Sequence, residues 1–117
     1  LYRRVAFYIC VGNSDDHFRN HGFLLTPKGW TLSPAYDINP TLNSSQSLLI
    51  SSVSNQAAFS QLRAAAEDYP LTRDTADAIL AEVQAALQDW PTLATHIGIP
   101  RREIAQFADR WSLAQTL

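Results

Sequence analysis

The sequence predicts a mainly α-helical fold that carries one small β-hairpin. Three observations point there. Apolar residues recur at helical spacing in several stretches after residue 54. Pro27-Lys28-Gly29 stands between two short apolar and β-branched runs, as a hairpin turn would. Prolines and glycines fall where helices begin and end.

Residues 1 to 11 fit the end of a buried helix. The run Val5-Ala6-Phe7-Tyr8-Ile9-Cys10-Val11 fits a buried strand nearly as well, because it is too short for periodicity to decide. Gly12 and Asn13 break it, and the polar segment Asn13 to Asn20 is a loop. Gly22 to Thr26 and Trp30 to Ser33 are the two strands, and Pro34 stops the second because it offers no ladder donor. Residues 38 to 47 form an irregular loop, with a possible short strand at Leu48-Leu49-Ile50. Asn55 is the expected N-cap of a helix with Phe59, Leu62, Ala66 and Tyr69 on one face, ended by Pro70. Thr72 opens the clearest helix, with Ala76, Ile79, Leu80, Val83, Leu87 and Trp90 in one stripe. Pro91 suits the first turn of another helix and Gly98 its stop. Pro100 starts a last helix with Ile104, Phe107, Ala108 and Trp111 inward. These stripes predict one core that includes Ile79, Leu80, Val83, Phe107 and Trp111.

With 117 residues, 46% hydrophobic and 17% charged, the chain is sized for one globular domain, residues 1 to 117, with a modest core. Net charge is −2, and no basic run exceeds two residues, so no direct nucleic-acid binding is expected. The single Cys10 sits in an apolar run and is expected to be a buried structural thiol, which fits a reducing compartment. The apolar run at residues 5 to 11 is far shorter than the ~20 residues of a membrane span and lacks a signal-peptide cleavage site. A soluble, cytoplasmic protein without membrane contact is the expectation. The chain holds no methionine and opens on Leu1, which suggests a piece of a longer protein.

The chemistry is concentrated in Asn13-Ser14-Asp15-Asp16-His17-Phe18-Arg19-Asn20 and in Asp37. An Asp, an Asn five positions on and a second Asp beyond a short hairpin is the acidic half of a protein-kinase active site. In that pattern Asp15 is the base that takes the proton of the attacking hydroxyl. Asn20 and Asp37 are the oxygen ligands of a magnesium ion that accompanies ATP. The fold is then the helical C-terminal lobe of a protein-kinase-like fold. The bland alternative makes Asp15 and Asn13 turn residues and Asp37 a cap. His17, two residues after the base, either touches the transferred phosphate or fixes the loop through the backbone. Arg19 pairs with nucleotide phosphate or with an acidic side chain. A metal hydrolase is a rival, since His17 and His21 are four apart beside Asp15 and Asp16. Gly22 argues against a continuous helix there, and the Glu of a zinc H-E-x-x-H signature is missing.

The run Asn13-Ser14-Asp15-x-His17-x-Arg19-Asn20, then Phe23-Leu24, then Leu32-Ser33-Pro34-Ala35-Tyr36-Asp37-Ile38, resembles the C-terminal catalytic region of HipA-like serine/threonine kinases, the toxins of bacterial toxin–antitoxin modules. The helical tail, with Trp90, Ala94 and Gly98, is similar too, so the resemblance spans essentially the whole chain. It implies Asp15 as catalytic base and Asn20 and Asp37 as magnesium ligands. It also implies a protein substrate (aminoacyl-tRNA synthetases in known cases) and a small helix-turn-helix antitoxin as partner. Two positions depart from the common pattern. Arg19 stands where Lys is frequent, which keeps the charge. Asp16 stands where a small residue is frequent, and its charge is expected near the phosphates, weakening nucleotide binding.

None of the four glycines belongs to a Gly-rich phosphate loop, and the only lysine, Lys28, lies in the hairpin turn. The phosphate-gripping N-terminal lobe is therefore expected upstream of Leu1, and the isolated lobe is expected to be nearly inactive. The second reading is a non-catalytic remnant or interaction module that binds an antitoxin or another protein.

Overall fold

The computed structural model describes residues 1–41, 48, 50 and 58–115. Helix α1 spans Tyr2–Val11. Tyr2, Val5, Ala6, Ile9 and Cys10 are buried together, a spacing of three and four that only a helix can turn to one side. The helix-or-strand ambiguity of this run is thereby settled as helix. Gly12 ends it in the left-handed region, at φ 73°. A 3-10 turn at Phe18–Asn20 follows, inside what the sequence presents only as a loop.

Strands β1 (Phe23–Thr26) and β2 (Gly29–Leu32) pair antiparallel, with Phe23 opposite Leu32 and Thr26 opposite Gly29. Thr26 Oγ1 accepts from the Lys28 N–H at 3.2 Å and donates to the Gly29 carbonyl at 2.9 Å, so one side chain pins the turn. Leu48 and Ile50 take bends and join no strand, so the short strand at residues 48 to 50 does not form there; Leu49 lies outside the described residues.

Helix α2 covers Phe59–Ala64, and a 3-10 turn at Ala66–Asp68 continues the chain. The expected cap Asn55 lies outside the described residues; the helix starts instead behind Ala58, with no side-chain cap. Phe59, Leu62 and Ala66 are buried as the stripe predicts, with Tyr69 at the margin of the core. Helix α3 runs Arg73–Leu87 behind Thr72, whose Oγ1 accepts the Thr75 N–H at 3.2 Å. Its Ala76, Leu80 and Val83 enter the same core as α1 and α2, while Ile79 and Leu87 pack against it.

Helices α4 (Trp90–His96) and α5 (Arg101–Gln115) complete the order, with α5 against both α1 and α4. Here one expectation is corrected. Phe107 and Trp111 do not join Leu80 and Val83; they form a separate aromatic group with Trp90, whose ring centroid lies 4.3 Å from that of Trp111. Trp90 also opens α4 rather than closing the α3 stripe, because α3 ends three residues earlier. An indole needs a hydrogen-bond partner when it is partly buried. Trp111 finds one in the Val11 carbonyl at 2.9 Å, which ties α5 to the end of α1 just before the polar loop. Among the described residues no helix is long and apolar enough to cross a membrane.

Candidate active site

The loop after α1 buries several polar residues. Asn13, Ser14, Asp16 and Asn20 are all buried. Such groups must be hydrogen-bonded; Asn13 and Ser14 find their partners in residues 39–41 on the far side of the hairpin, while Asn20 bonds back to the loop itself. Asn13 Oδ1 accepts the Asn39 N–H at 2.9 Å. The Gly12 carbonyl accepts from the Thr41 N–H at 2.7 Å and from Thr41 Oγ1 at 2.9 Å. Ser14 Oγ lies 2.9 Å from Thr41 Oγ1. Tyr36 Oη donates to the Arg19 carbonyl at 2.7 Å. The contact at Gly12 is so close that a Cβ there would stand 2.4 Å from the Thr41 carbonyl oxygen. The hairpin therefore returns the chain to the loop, and five hydrogen bonds or close polar contacts stitch the two segments together.

Within this frame Asp15 is exposed, its side chain 62% accessible. The Asn20 amide sits beneath it, with Nδ2 donating to the Asp15 carbonyl at 2.7 Å. That bond fixes the amide orientation and leaves Asn20 Oδ1 as its acceptor atom. Asp37 stands in the left-handed region at φ 55°, which Asp tolerates better than most residues. Its Oδ1 accepts from Asn39 Nδ2 at 2.8 Å. Asp37 is thus adjacent in sequence to Tyr36, which touches Arg19, and is bonded to Asn39, which touches Asn13. The oxygens of Asn20 and Asp37 are hard donors of the kind magnesium prefers, so the residues present fit that ion.

His17 Nε2 lies 3.2 Å from Asp15 Oδ1 and 3.2 Å from Arg19 Nη2. Asp15, His17 and Arg19 therefore form one chain of contacts on the surface of the loop. His21 turns the other way, with its Nε2 3.2 Å from the Asp16 carbonyl and its ring 6.0 Å from that of Tyr8. The two histidines do not share a focus, and among the described residues no three His, Cys, Asp or Glu side chains gather as a zinc site needs.

Asp16 departs from expectation. Its side chain is buried rather than set beside Asp15, with Oδ1 3.5 Å from the Leu48 nitrogen. Its charge is felt inside, where burial raises the pKa of Tyr8 and Tyr69 and Asp16 adds to the rise of both. Asp15 thus faces solvent while its neighbour Asp16 faces inward. Asn39, Thr41 and Tyr36 are the site residues that sequence reasoning passes over. The one signal for them is Tyr36 immediately before Asp37.

Residues 1–91 match the family described as the HipA-like C-terminal domain. The chain belongs to that family. No curated protein and no solved structure matches it. The HipA-like match takes in the whole of the stitched site, α1 to α3 and the first two residues of α4, and stops short of Trp111.

Proposed function

We propose that this HipA-like domain is the catalytic-loop and metal-binding part of an ATP- and magnesium-dependent serine/threonine protein kinase of the toxin–antitoxin type. The observation that carries the reading is the Asn20 amide locked under Asp15, with the Asp37 segment stitched to the same loop. Asp15 has an accessible carboxylate to accept the proton of a serine or threonine hydroxyl as that oxygen attacks phosphorus. Asn20 Oδ1 and the Asp37 carboxylate would hold magnesium, which when bound neutralises charge on the nucleotide phosphates. Arg19 is an exposed cation two residues beyond His17, available to a phosphate oxygen. Backbone amides and a cation that grip the other phosphates would come from an N-terminal lobe of the parent protein, since Lys28 at the hairpin turn is the only lysine here.

The test is Asp15→Asn in the full-length protein. The change is nearly isosteric and removes the proton acceptor, so phosphotransfer to protein should fall by roughly 10²-fold or more. Folding, followed by circular dichroism, should not change. Retained phosphotransfer removes Asp15 from the base role.

A second reading has one observation in its favour. Register places Phe23, Leu25 and Trp30 on one face of the hairpin, and all three are exposed, with Phe18 beside them in sequence order. An apolar face of that kind marks a surface that meets another protein segment. A non-catalytic interaction module that binds an antitoxin or other protein would use it, and that reading predicts toxicity or binding unchanged by Asp15→Asn.

A further inference from the structure

His17 Nε2 has two neighbours that ask opposite things of it. Asp15 Oδ1 at 3.2 Å needs a hydrogen from it, whereas Arg19 Nη2, also at 3.2 Å, needs its lone pair. A neutral imidazole nitrogen can do only one of these. The other ring nitrogen decides which. His17 Nδ1 is buried and has no hydrogen-bond partner among the described residues. A hydrogen buried there without an acceptor is penalised more than an unused lone pair, which is why orphaned buried N–H groups are rare. Nδ1 is therefore bare, and Nε2 carries the hydrogen.

We infer that His17 is a positioning residue: its neutral Nε2–H tautomer holds the Asp15 carboxylate in place and, by refusing the Arg19 guanidinium, leaves that cation for a phosphate oxygen. The inference rests on the kinase reading and deepens it. Neither ring nitrogen of His17 is then spare for the transferred phosphate, because one is buried and the other is committed to Asp15. The loop thus divides its labour among four residues. Asp15 takes the proton, His17 orients Asp15, and Arg19 stays available to phosphate because the Nε2 beside it offers no lone pair. Asn20 supports the arrangement from below through the Asp15 carbonyl.

Two arms test this. In ¹⁵N-labelled protein at alkaline pH, two-bond ¹H–¹⁵N spectra of the histidine rings report the tautomer, with His17 assigned by loss of its signals in His17→Gln. The expected result is a single tautomer with pyrrole-type Nε2 and pyridine-type Nδ1. Asp15→Ala should relax it toward averaged shifts, and Arg19→Ala should leave it unchanged. An Nδ1–H tautomer, or a tautomer that responds to Arg19→Ala and not to Asp15→Ala, overturns the inference. In the full-length kinase, His17→Gln should lower kcat by roughly tenfold or more, the usual cost of losing an orienting partner, with KM for ATP unchanged. Arg19→Gln should instead raise KM for ATP; a raised KM in His17→Gln contradicts the assignment. Should wild-type protein transfer no phosphate at all, the kinase reading falls, and the tautomer spectra still decide the role of His17.

Discussion

Helix α1 and the first residues of the loop that follows it, Gly12 to Ser14, are both buried and are held by different forces. Ile9 and Cys10 lie fully inside among Phe59, Leu62 and Leu80. Asn13, three residues after Cys10, is as buried, yet its contact is a directed hydrogen bond to the Asn39 backbone. Apolar burial is non-directional and scales with area. Buried polar groups stabilise only in the geometry that satisfies them and cost free energy otherwise. The helix side of this boundary therefore supplies stability, and the loop side supplies a defined arrangement of Asp15, Asn20 and Asp37.

Truncation in the core should have the largest effect on folding. Phe59→Ala removes a fully buried ring and should cost about 3–5 kcal/mol in guanidinium denaturation. A cost under 1 kcal/mol would mean that the α1–α2–α3 core is not the stabilising unit. Gly12→Ala probes the boundary itself. Its φ of 73° disfavours a Cβ by about 1–2 kcal/mol, and the clash with the Thr41 carbonyl adds about 1–3 kcal/mol. The same substitution should loosen the 36–41 segment, visible as faster amide exchange at Thr41.

A gentler pair sharpens the contrast. Ile9→Leu, an apolar swap in the core, should cost less than about 1.5 kcal/mol. Asn13→Leu, of similar size but without an acceptor for the Asn39 N–H, should cost about 1–3 kcal/mol through that unmade bond. Equal costs at the two sites would erase the distinction between the regions.

Much of the core side is written locally. Gly12, Pro70, Thr72, Pro91 and Pro100 punctuate helices because each acts on its own backbone. The hairpin is legible from Pro27-Lys28-Gly29 for the same reason. The candidate positions Asp15, Asn20 and Asp37 come from a motif spacing. The stitching is not, because Asn13–Asn39 and Gly12–Thr41 join residues 26 and 29 apart and nothing local announces such pairs. Phe107 and Trp111 pack apart from Leu80 and Val83, since a stripe names the buried face of a helix and not the neighbour it meets. The inward turn of Asp16 ran against its charge, which sequence reasoning sends outward.

Alkaline pH should weaken both sides at once through Tyr2, Tyr8 and Tyr69. Burial raises all three phenols above 10.0, with Asp77 adding to the rise of Tyr2 and Asp16 to those of Tyr8 and Tyr69. The unfolded chain then gives up these protons first. Stability from this source is intact below about pH 10 and is lost as pH climbs through the folded values. The denaturation midpoint should fall as pH rises above about 10, in step with tyrosinate absorbance. A flat midpoint across that range would show that the three rings are not buried.

The convergence of Asn20 and Asp37 on one ion tests the account most directly. Trace Mn²⁺ in place of magnesium broadens nearby resonances in a ¹⁵N spectrum. The Asn20 side-chain amide and the Asp37 backbone amide should broaden together at the same low Mn²⁺ level, and Asp37→Ala should abolish both effects while leaving the Asn13 and Thr41 amides sharp and unshifted. Broadening of the two groups at different Mn²⁺ levels, or of Asn20 alone in the Asp37→Ala variant, would show that the stitched segments do not share a metal and would contradict the kinase assignment.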